Sequence, residues 1–548
     1  MLYAKLRHRR WAESHIRWEL PASTQSLCPV CMEVIEAELY EDKNRVFMRK
    51  ACGEHGSFNE LISSDAKFFK GLRRRHYELP LGIENPNCEN RSHCPRECGL
   101  CEQHLSTPAM VNIDLTNRCN QNCPICFANA NASGRLYEVT IEQVKRMLDA
   151  AVSIKPHSAA CLQYVGGEPT VYPHFLEALR EAKSRGFTQI QVASNGVRFA
   201  KSLEFTQAAA EAGLEVVYLQ FDGLDDEIYL KTRGRRLVET KLKAIENMRK
   251  SYLRVVLVPT IVKGINDRHV GDILRFAIEN SDIMTGISWQ PVAITGRIDE
   301  SKRMEMRFTI ADLARSLAEQ TGFFDMYRDW YPFSVTIPFA RLMEAVTGRP
   351  SMRCSCSAHC GCATYLIVDK QTKKAVPLPA FLDIVPAMEM LNKIAERIEN
   401  HRWVKKASVV QATKLLKRYF HQERAPEGWG FERLLEFIRY FAEFKEQWSD
   451  TKMRSEQLRR DRFATMLLAS MHFQDSYNYE IDRVRHCVIL YAAPNGRFYP
   501  FCSWNSGLCH RRQIESTYSR QLPIKQISAV PGALTAGLRG RPRVGNEE

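Results

Sequence analysis

Between residues 109 and 320, short apolar runs alternate with longer amphipathic segments almost without interruption. The runs "AMVNIDLT" (109–116), "CLQYVG" (161–166), "IQVAS" (190–194), "VVYLQFDG" (216–223), "RVVLVPTIV" (254–262) and "ISWQPV" (287–292) have the length and composition of strands. Segments 140–152, 173–186, 202–213, 237–250, 268–280 and 309–319 space their apolar residues as helices do. Thr140 and Gln143 offer a capping box for the first of them. Six successive strand–helix units predict a parallel sheet: an α/β fold built as a (β/α)6 barrel or partial barrel over 108–320. Sites in such folds lie at the carboxyl ends of the strands, where this chain places polar residues.

The flanks follow other patterns. Before residue 108 come short strand-like runs such as "AELYEDKNRVFMRKACGEHGSF", rich in turn residues and cysteine. A charged helical stretch is predicted over 386–465, and "APNGRF" reads as a hairpin turn. Beyond 516 the basic tail is expected to be disordered. The Met- and Phe-rich segment 323–346 reads as ordinary core, with the lining of an apolar tunnel as the alternative. Composition adds two constraints. No apolar run is long enough to cross a bilayer and the N-terminus has no apolar signal core, so a cytoplasmic protein is expected. The net charge is +14, with basic clusters at 6–10, 70–76 and 231–236. An anionic membrane surface or nucleic acid would suit that charge, but each cluster alone reads as a solvated face. No nucleic-acid partner is expected, because no nucleic-acid-binding fold signature accompanies the clusters.

The 18 cysteines change the picture most. They bunch at ligand spacing, which in a cytosolic chain points to metal and not to disulfides. Cys28 and Cys31, with Cys52 and His55, have zinc-ribbon or rubredoxin-like spacing for one mononuclear zinc or iron ion, zinc being slightly favoured. Cys88, Cys94, Cys98 and Cys101 supply four thiolates within fourteen residues, enough for a fully ligated [4Fe-4S] relay cluster, with a zinc site as the alternative. Cys360, Cys487 and Cys502, with Cys354 or Cys356, are expected to share one auxiliary cluster, and Cys354 is taken as the fourth ligand. Cys161 and Cys362 default to buried core thiols. The predicted organisation is therefore a metal-binding ribbon (1–60), a four-cysteine cluster segment (61–107), the barrel (108–320), a C-terminal auxiliary iron–sulfur and helical domain (321–515) and the tail (516–548).

One set stands apart. Cys119, Cys123 and Cys126 form C-x3-C-x2-C in the loop after the first barrel strand, with no fourth ligand nearby. Three thiolates on a four-iron cluster leave one iron open, as catalytic zinc keeps an open position. The spacing, followed by Phe127, resembles the cluster motif of the radical S-adenosylmethionine (SAM) superfamily. That resemblance implies that the open iron binds SAM, and that an electron from the cluster cleaves it to methionine and a 5′-deoxyadenosyl radical. It further implies that Gly166, Gly167, Glu168 and Pro169 ("GGEP") form the turn that meets the SAM amino group. By the same resemblance, Ser194, Asn195, Gln220 and Asp222 contact SAM from the next two strand ends.

Longer blocks, among them "CPRECGLCEQH", "DLTNRCNQNCPICFANA", "YVGGEPTVYP", "YLQFDGLDDEIYLKTRGR" and "YPFCSWNSG", resemble the tetraether lipid synthase group and its bacterial relatives, a group that also includes dihydro-hydroxymethylpterin methyltransferases. The resemblance covers residues 25 to 515. It implies hydrogen abstraction from unactivated carbons and C–C coupling of lipid alkyl chains. The partners implied are a lipid substrate, a membrane surface touched peripherally, and a reduced flavodoxin- or ferredoxin-type electron donor. The alternative it carries is a radical SAM methyltransferase acting on a pterin or similar heterocycle. A single clear C-x3-C-x2-C motif weighs against that alternative, since the methylating relatives are associated with more than one. A non-catalytic iron–sulfur redox sensor is the reading from another class.

Overall fold

The computed structural model describes residues 19–88, 94–442 and 451–521. An antiparallel sheet opens the chain, with strands β1 (Ala22–Leu27), β2 (Val34–Asp42), β3 (Arg45–Cys52) and β4 (Gly56–Ser63) paired in sequence order. The barrel strands follow: β5 (Met110–Thr116), β6 (Cys161–Gly166), β7 (Gln189–Ser194), β8 (Val216–Gln220), β9 (Arg254–Val258) and β10 (Met284–Pro291). All six are parallel, and each pairs with the next. Helices Ile141–Val152, Phe175–Ser184, Leu203–Glu211, Val238–Lys250, Val270–Glu279 and Ile310–Thr321 form the crossovers at the predicted places. The Thr140–Gln143 capping box is present, with both reciprocal bonds made. The six-unit reading from periodicity therefore holds.

The chain after 320 does not stand apart from this sheet. Strand β11 (Gly361–Asp369) lies antiparallel to β12 (Phe463–Met471), which adds a parallel strand beside β10, while β13 (Ile489–Ala492) adds another beside β5. Both open edges of the barrel are thus covered by late sequence, and backbone groups that would otherwise be unpaired are satisfied. The predicted hairpin at "APNGRF" is made, Ala493 donating to the Arg497 carbonyl at 3.0 Å. Residues 516–521, assigned to the tail on sequence, complete the helix His510–Tyr518 and a short strand, Ser519–Gln521, that pairs with Arg135–Tyr137. Residues 522–548 and the basic cluster at 6–10 lie outside the described residues.

Outward-facing strand residues such as Leu162, Val192, Leu219, Leu257 and Ile287 are sealed in the main core. The helical stretch builds a second core around Phe381, Leu391, Ile398 and Trp429. Segment 323–346 divides between the two, Phe324 and Trp330 entering the first and Tyr331 and Leu342 the second, so it is core and not tunnel lining. Among the described residues no helix is long and apolar enough to cross a membrane.

The basic cluster 70–76 is not a free solvated face. Arg73 donates to His359 Nε2 at 2.6 Å, and Arg75 donates to the Trp330 carbonyl at 2.9 Å. A buried ion cluster fastens the ribbon to the barrel. Arg307, fully buried, donates to Glu60 of β4 at 2.6 Å and to Asp475 at 2.7 Å. Burial alone would raise the Asp475 carboxyl, but the guanidinium beside it holds it below its ordinary value. Removing one partner from such a cluster strands buried charge. Arg307→Ala is expected to destabilise the protein by about 3–5 kcal/mol in denaturant unfolding. A depressed carboxyl contributes stability above its unfolded pKa and loses it as pH falls through the lower folded value, so the deficit should narrow below about pH 4.

Candidate active site and metal centres

The loop 117–134 leaves the carboxyl end of β5 and carries Cys119, Cys123 and Cys126. It is stapled at several points. Asn131 accepts from the Cys119 amide at 3.0 Å and donates to the Cys119 carbonyl at 3.0 Å and the Gln121 carbonyl at 3.1 Å. Arg233 donates to the Ile125 carbonyl at 3.0 Å, and Arg297 to the Cys123 carbonyl at 3.2 Å. Gly296 lies so close beneath the loop that a Cβ there would fall 2.2 Å from the Cys126 carbonyl oxygen. These ties leave the three thiols projecting from a backbone whose own polar groups are largely satisfied. Burial pushes the Cys119 thiol up, as it does Cys123.

The "GGEP" turn meets this loop directly. Gly166 has φ +141°, and a Cβ on it would lie 2.3 Å from the Thr116 carbonyl oxygen; one on Gly167 would lie 2.2 Å from the Arg118 carbonyl oxygen. Gly167 and Glu168 donate their amides to those same two oxygens, each at 2.8 Å. The glycines thus serve a backbone-to-backbone contact with the cysteine loop, a role the sequence reading assigned to ligand approach. Glu168 is buried and accepts from Thr170 Oγ1 at 2.6 Å, Ser194 Oγ at 2.8 Å and the Asn195 amide at 2.8 Å. Burial nevertheless raises its carboxyl. Pro169 opens the short turn Pro169–Val171 that follows.

The remaining predicted rim residues divide. Asn195 reaches the cysteine loop: its Nδ2 donates to Asn120 Oδ1 at 2.6 Å and lies 3.9 Å from the Cys119 sulfur. The Ser194 hydroxyl is spent on Glu168 and on the Gly196 amide at 3.0 Å. Asp222 is fully buried and engaged on both oxygens, by Arg233 at 2.7 and 3.0 Å, by Thr232 Oγ1 at 2.8 Å and by the Thr260 amide at 3.1 Å. Both its acceptor oxygens therefore already carry protein donors. Arg233, within the basic cluster 231–236, is not solvated: this pairing buries it.

Lys241 was not singled out at all. It is fully buried, and its Nζ donates to the Gln220 Oε1 and to the Asn195 carbonyl, both at 2.7 Å. Burial lowers it to about 7. Its only sequence signal is a lysine four residues into a helix whose neighbours at 243 and 250 face water.

The other cysteine sets resolve differently. The ligand atoms of Cys28, Cys31, Cys52 and His55 all lie within 4.8 Å of one another, the spacing of a single ion, and no other group among the described residues closes so tightly. Cys88 tucks against Gly99 and neighbours Cys101, and Cys98 lies 3.3 Å from Ser503 Oγ; residues 89–93 between Cys88 and Cys94 lie outside the described residues. In the third set, Cys360, Cys487 and Cys502 influence one another electrostatically. Cys356 shares an apolar cluster with Cys360 and Cys487. Cys362 is core, as expected, whereas Cys161 is half-buried on the inner face of β6. Stacked rings join two of the sites: Phe127, beside Cys126, lies 5.6 Å from Phe501, beside Cys502, and Phe473 stacks on Phe501 at 3.9 Å.

A six-unit parallel barrel with a three-cysteine loop at the carboxyl end of its first strand defines the class. The chain belongs to the radical SAM superfamily, whose family model matches residues 113–277, and the HMPTM N-terminal zinc ribbon domain model matches residues 20–64. Over 504 residues it is 37% identical to the 7,8-dihydro-6-hydroxymethylpterin dimethyltransferase of Methanocaldococcus jannaschii, an alignment covering 92% of this chain and 96% of that protein. A probable GTP 3′,8-cyclase of Pyrococcus horikoshii is 28% identical over 176 residues, covering 32% of this chain and 54% of the relative. Among solved structures, Streptococcus suis SuiB bound to S-adenosylmethionine aligns at 19% identity and a TM-score of 0.33, covering 40% of this chain and 48% of the other. The protein is a radical SAM enzyme, with [4Fe-4S] chemistry, SAM and an additional metal at the ribbon among its cofactors. Enzymes of this class take a reduced electron donor.

Two outcomes follow from this geometry. Gly167→Ala should displace the cysteine loop and lower iron content by about one cluster per chain, read by iron and sulfide analysis. Cys31→Ser should release the ribbon ion, read by elemental analysis, and lower thermal stability because such binding energy is folding energy.

Proposed function

We propose that this enzyme methylates a carbon of a reduced pterin or a closely similar heterocycle by radical SAM chemistry. The observation that carries the reading is the 37% identity along 96% of a 7,8-dihydro-6-hydroxymethylpterin dimethyltransferase. A motif count that weighed against methyl transfer also falls away. Cys94, Cys98 and Cys101 repeat C-x3-C-x2-C inside the four-cysteine set, so the chain carries that spacing twice.

In this reading Cys119, Cys123 and Cys126 hold the cluster that leaves one iron for SAM. When bound, cluster and SAM together supply a 5′-deoxyadenosyl radical able to remove hydrogen from carbon. The chain's own residues fix the geometry. The Gly166–Pro169 turn presents its backbone to the SAM amino group, while Glu168 holds Ser194 and Asn195 in place. Asn195 and Gln220 contact SAM from their strand ends. Asp222 acts one step back, by fixing Arg233 against the cysteine loop. Cys28, Cys31, Cys52 and His55 hold zinc. A ferredoxin- or flavodoxin-type protein supplies electrons.

Coupling of lipid alkyl chains at a membrane surface is the second reading. One observation favours it, the apolar ring cluster of Phe127, Phe473 and Phe501 between Cys126 and Cys502. The two readings part in a single assay. The anaerobically reconstituted, reduced enzyme with SAM and 6-hydroxymethyl-7,8-dihydropterin should form 5′-deoxyadenosine and a pterin heavier by one or two methyl groups. Cys126→Ala should abolish both products. An unaltered pterin, with hydrogen-depleted lipid dimers from supplied lipid, would replace the first reading by the second.

A further inference from the structure

The two faces of the barrel sheet are unlike. Side chains pointing to the helices, such as Leu162, Ile190, Val217 and Val255, are sealed. Of the alternate side chains of the same strands, Cys161, Tyr218, Gln220, Val256 and Val258 are partly exposed, while Asn112, Gln163 and Gln191 lie buried between them. Since successive strand residues face opposite sides, this alternation marks an open lumen inside the curved sheet. Side chains meet across it: Gln191 of β7 donates to the Met110 sulfur of β5 at 2.9 Å, passing over β6, and accepts from Gln189 Nε2 at 2.7 Å. Below, the ion pair of Arg254 with Glu215, at 3.0 Å, closes the floor near Cys161.

One register row of this lumen is made of carboxamides. Asn112 of β5 pairs with Gln163 of β6, which pairs with Gln191 of β7. Tyr218 of β8 reaches the same row through Gln191. Neither amide atom of Asn112 finds a partner at hydrogen-bonding geometry among the described residues, although the residue is fully buried and the Tyr491 hydroxyl lies beside it. The Gln220 Nε2, above the row, is likewise buried without a partner, its Oε1 being turned to Lys241. Leaving such groups unpaired costs about 1–3 kcal/mol each. An alkyl chain in the lumen would leave that cost in place, whereas a ring with alternating donors and acceptors removes it. Asn112 precedes the end of its strand at Thr116 by four residues, about 13 Å along β5. A fused two-ring system anchored on the row would therefore extend towards the cysteine loop.

Resting on the methylation reading, we infer that Asn112 and Gln163 of this amide row, bounded by Gln191 and Tyr218, form the recognition edge for the substrate's heterocycle, binding a lactam–amidine edge of the kind a pterin carries. A carboxamide offers one donor and one acceptor side by side, the complement of a ring N–H next to a carbonyl.

The test uses the full-length reconstituted protein and two probes. These are 6-hydroxymethyl-7,8-dihydropterin and the matching compound with a ring carbonyl in place of the 2-amino group. The wild type should bind the amino compound more tightly. Gln163→Leu should weaken that binding about tenfold to a hundredfold and remove the preference between the probes, a readout that loose packing alone would not produce. Should Gln163→Leu lose its fold or its iron, Gln163→Glu, which keeps shape but has no donor, carries the same comparison. Unchanged affinity and unchanged preference in a folded variant overturn the assignment. No dihydropterin binding by the wild type overturns both this inference and the reading beneath it. Preferential binding lost in the variant, without any methylated product, leaves the amide row standing and removes the methylation reading.

Discussion

The site depends on a contact in which no side chain takes part. At Gly166 and Gly167 the chain at the end of β6 lies directly against the start of the cysteine loop, closely enough that a single Cβ would collide with a carbonyl oxygen. Two amide-to-carbonyl bonds lock the approach. From that junction Glu168 reaches on to Ser194 and Asn195, and Asn195 reaches back to Asn120 in the loop. Three strand ends are thereby held in one frame. A cofactor that must be placed to within a fraction of an ångström needs this kind of support from residues that do not touch it.

A second frame lies behind the first. Arg233 ties Asp222 to the cysteine loop, and Lys241 bridges the ends of β7 and β8. Both are buried, with partners from different strands: Arg233 on a carboxylate, Lys241 on two neutral carbonyl oxygens. Arg307 plays the corresponding part further out, between the ribbon and the segment after β12. Packed in low dielectric, such groups resist separate movement of the elements they join, because each separation leaves a charge without a partner.

Much of the fold was legible because it is locally written. Periodicity gave the six strand–helix units, Thr140 and Gln143 their cap, and Cys28, Cys31, Cys52 and His55 their single-ion spacing. What escaped depends on partners distant in sequence. A basic cluster gives no sign that Arg233 lies across from Asp222, and an apolar run after the helical region does not say which sheet edge it joins. Residues 463–471 and 489–492 join opposite edges. A count of four cysteines hid the second C-x3-C-x2-C, because Cys88 drew the set into one group.

The strand Ser519–Gln521 closes over Arg135–Tyr137, at the exit of the cysteine loop. Those partners are separated by 384 residues. At about 5–20 residues per second, a ribosome needs about 20–80 s to make the second after the first. During that interval the stretch leaving the cysteine loop has yet to gain its outer strand. The order of translation thus sets the order of these pairings: the barrel strand that feeds the cysteine loop is made well before the strand that borders the loop's exit.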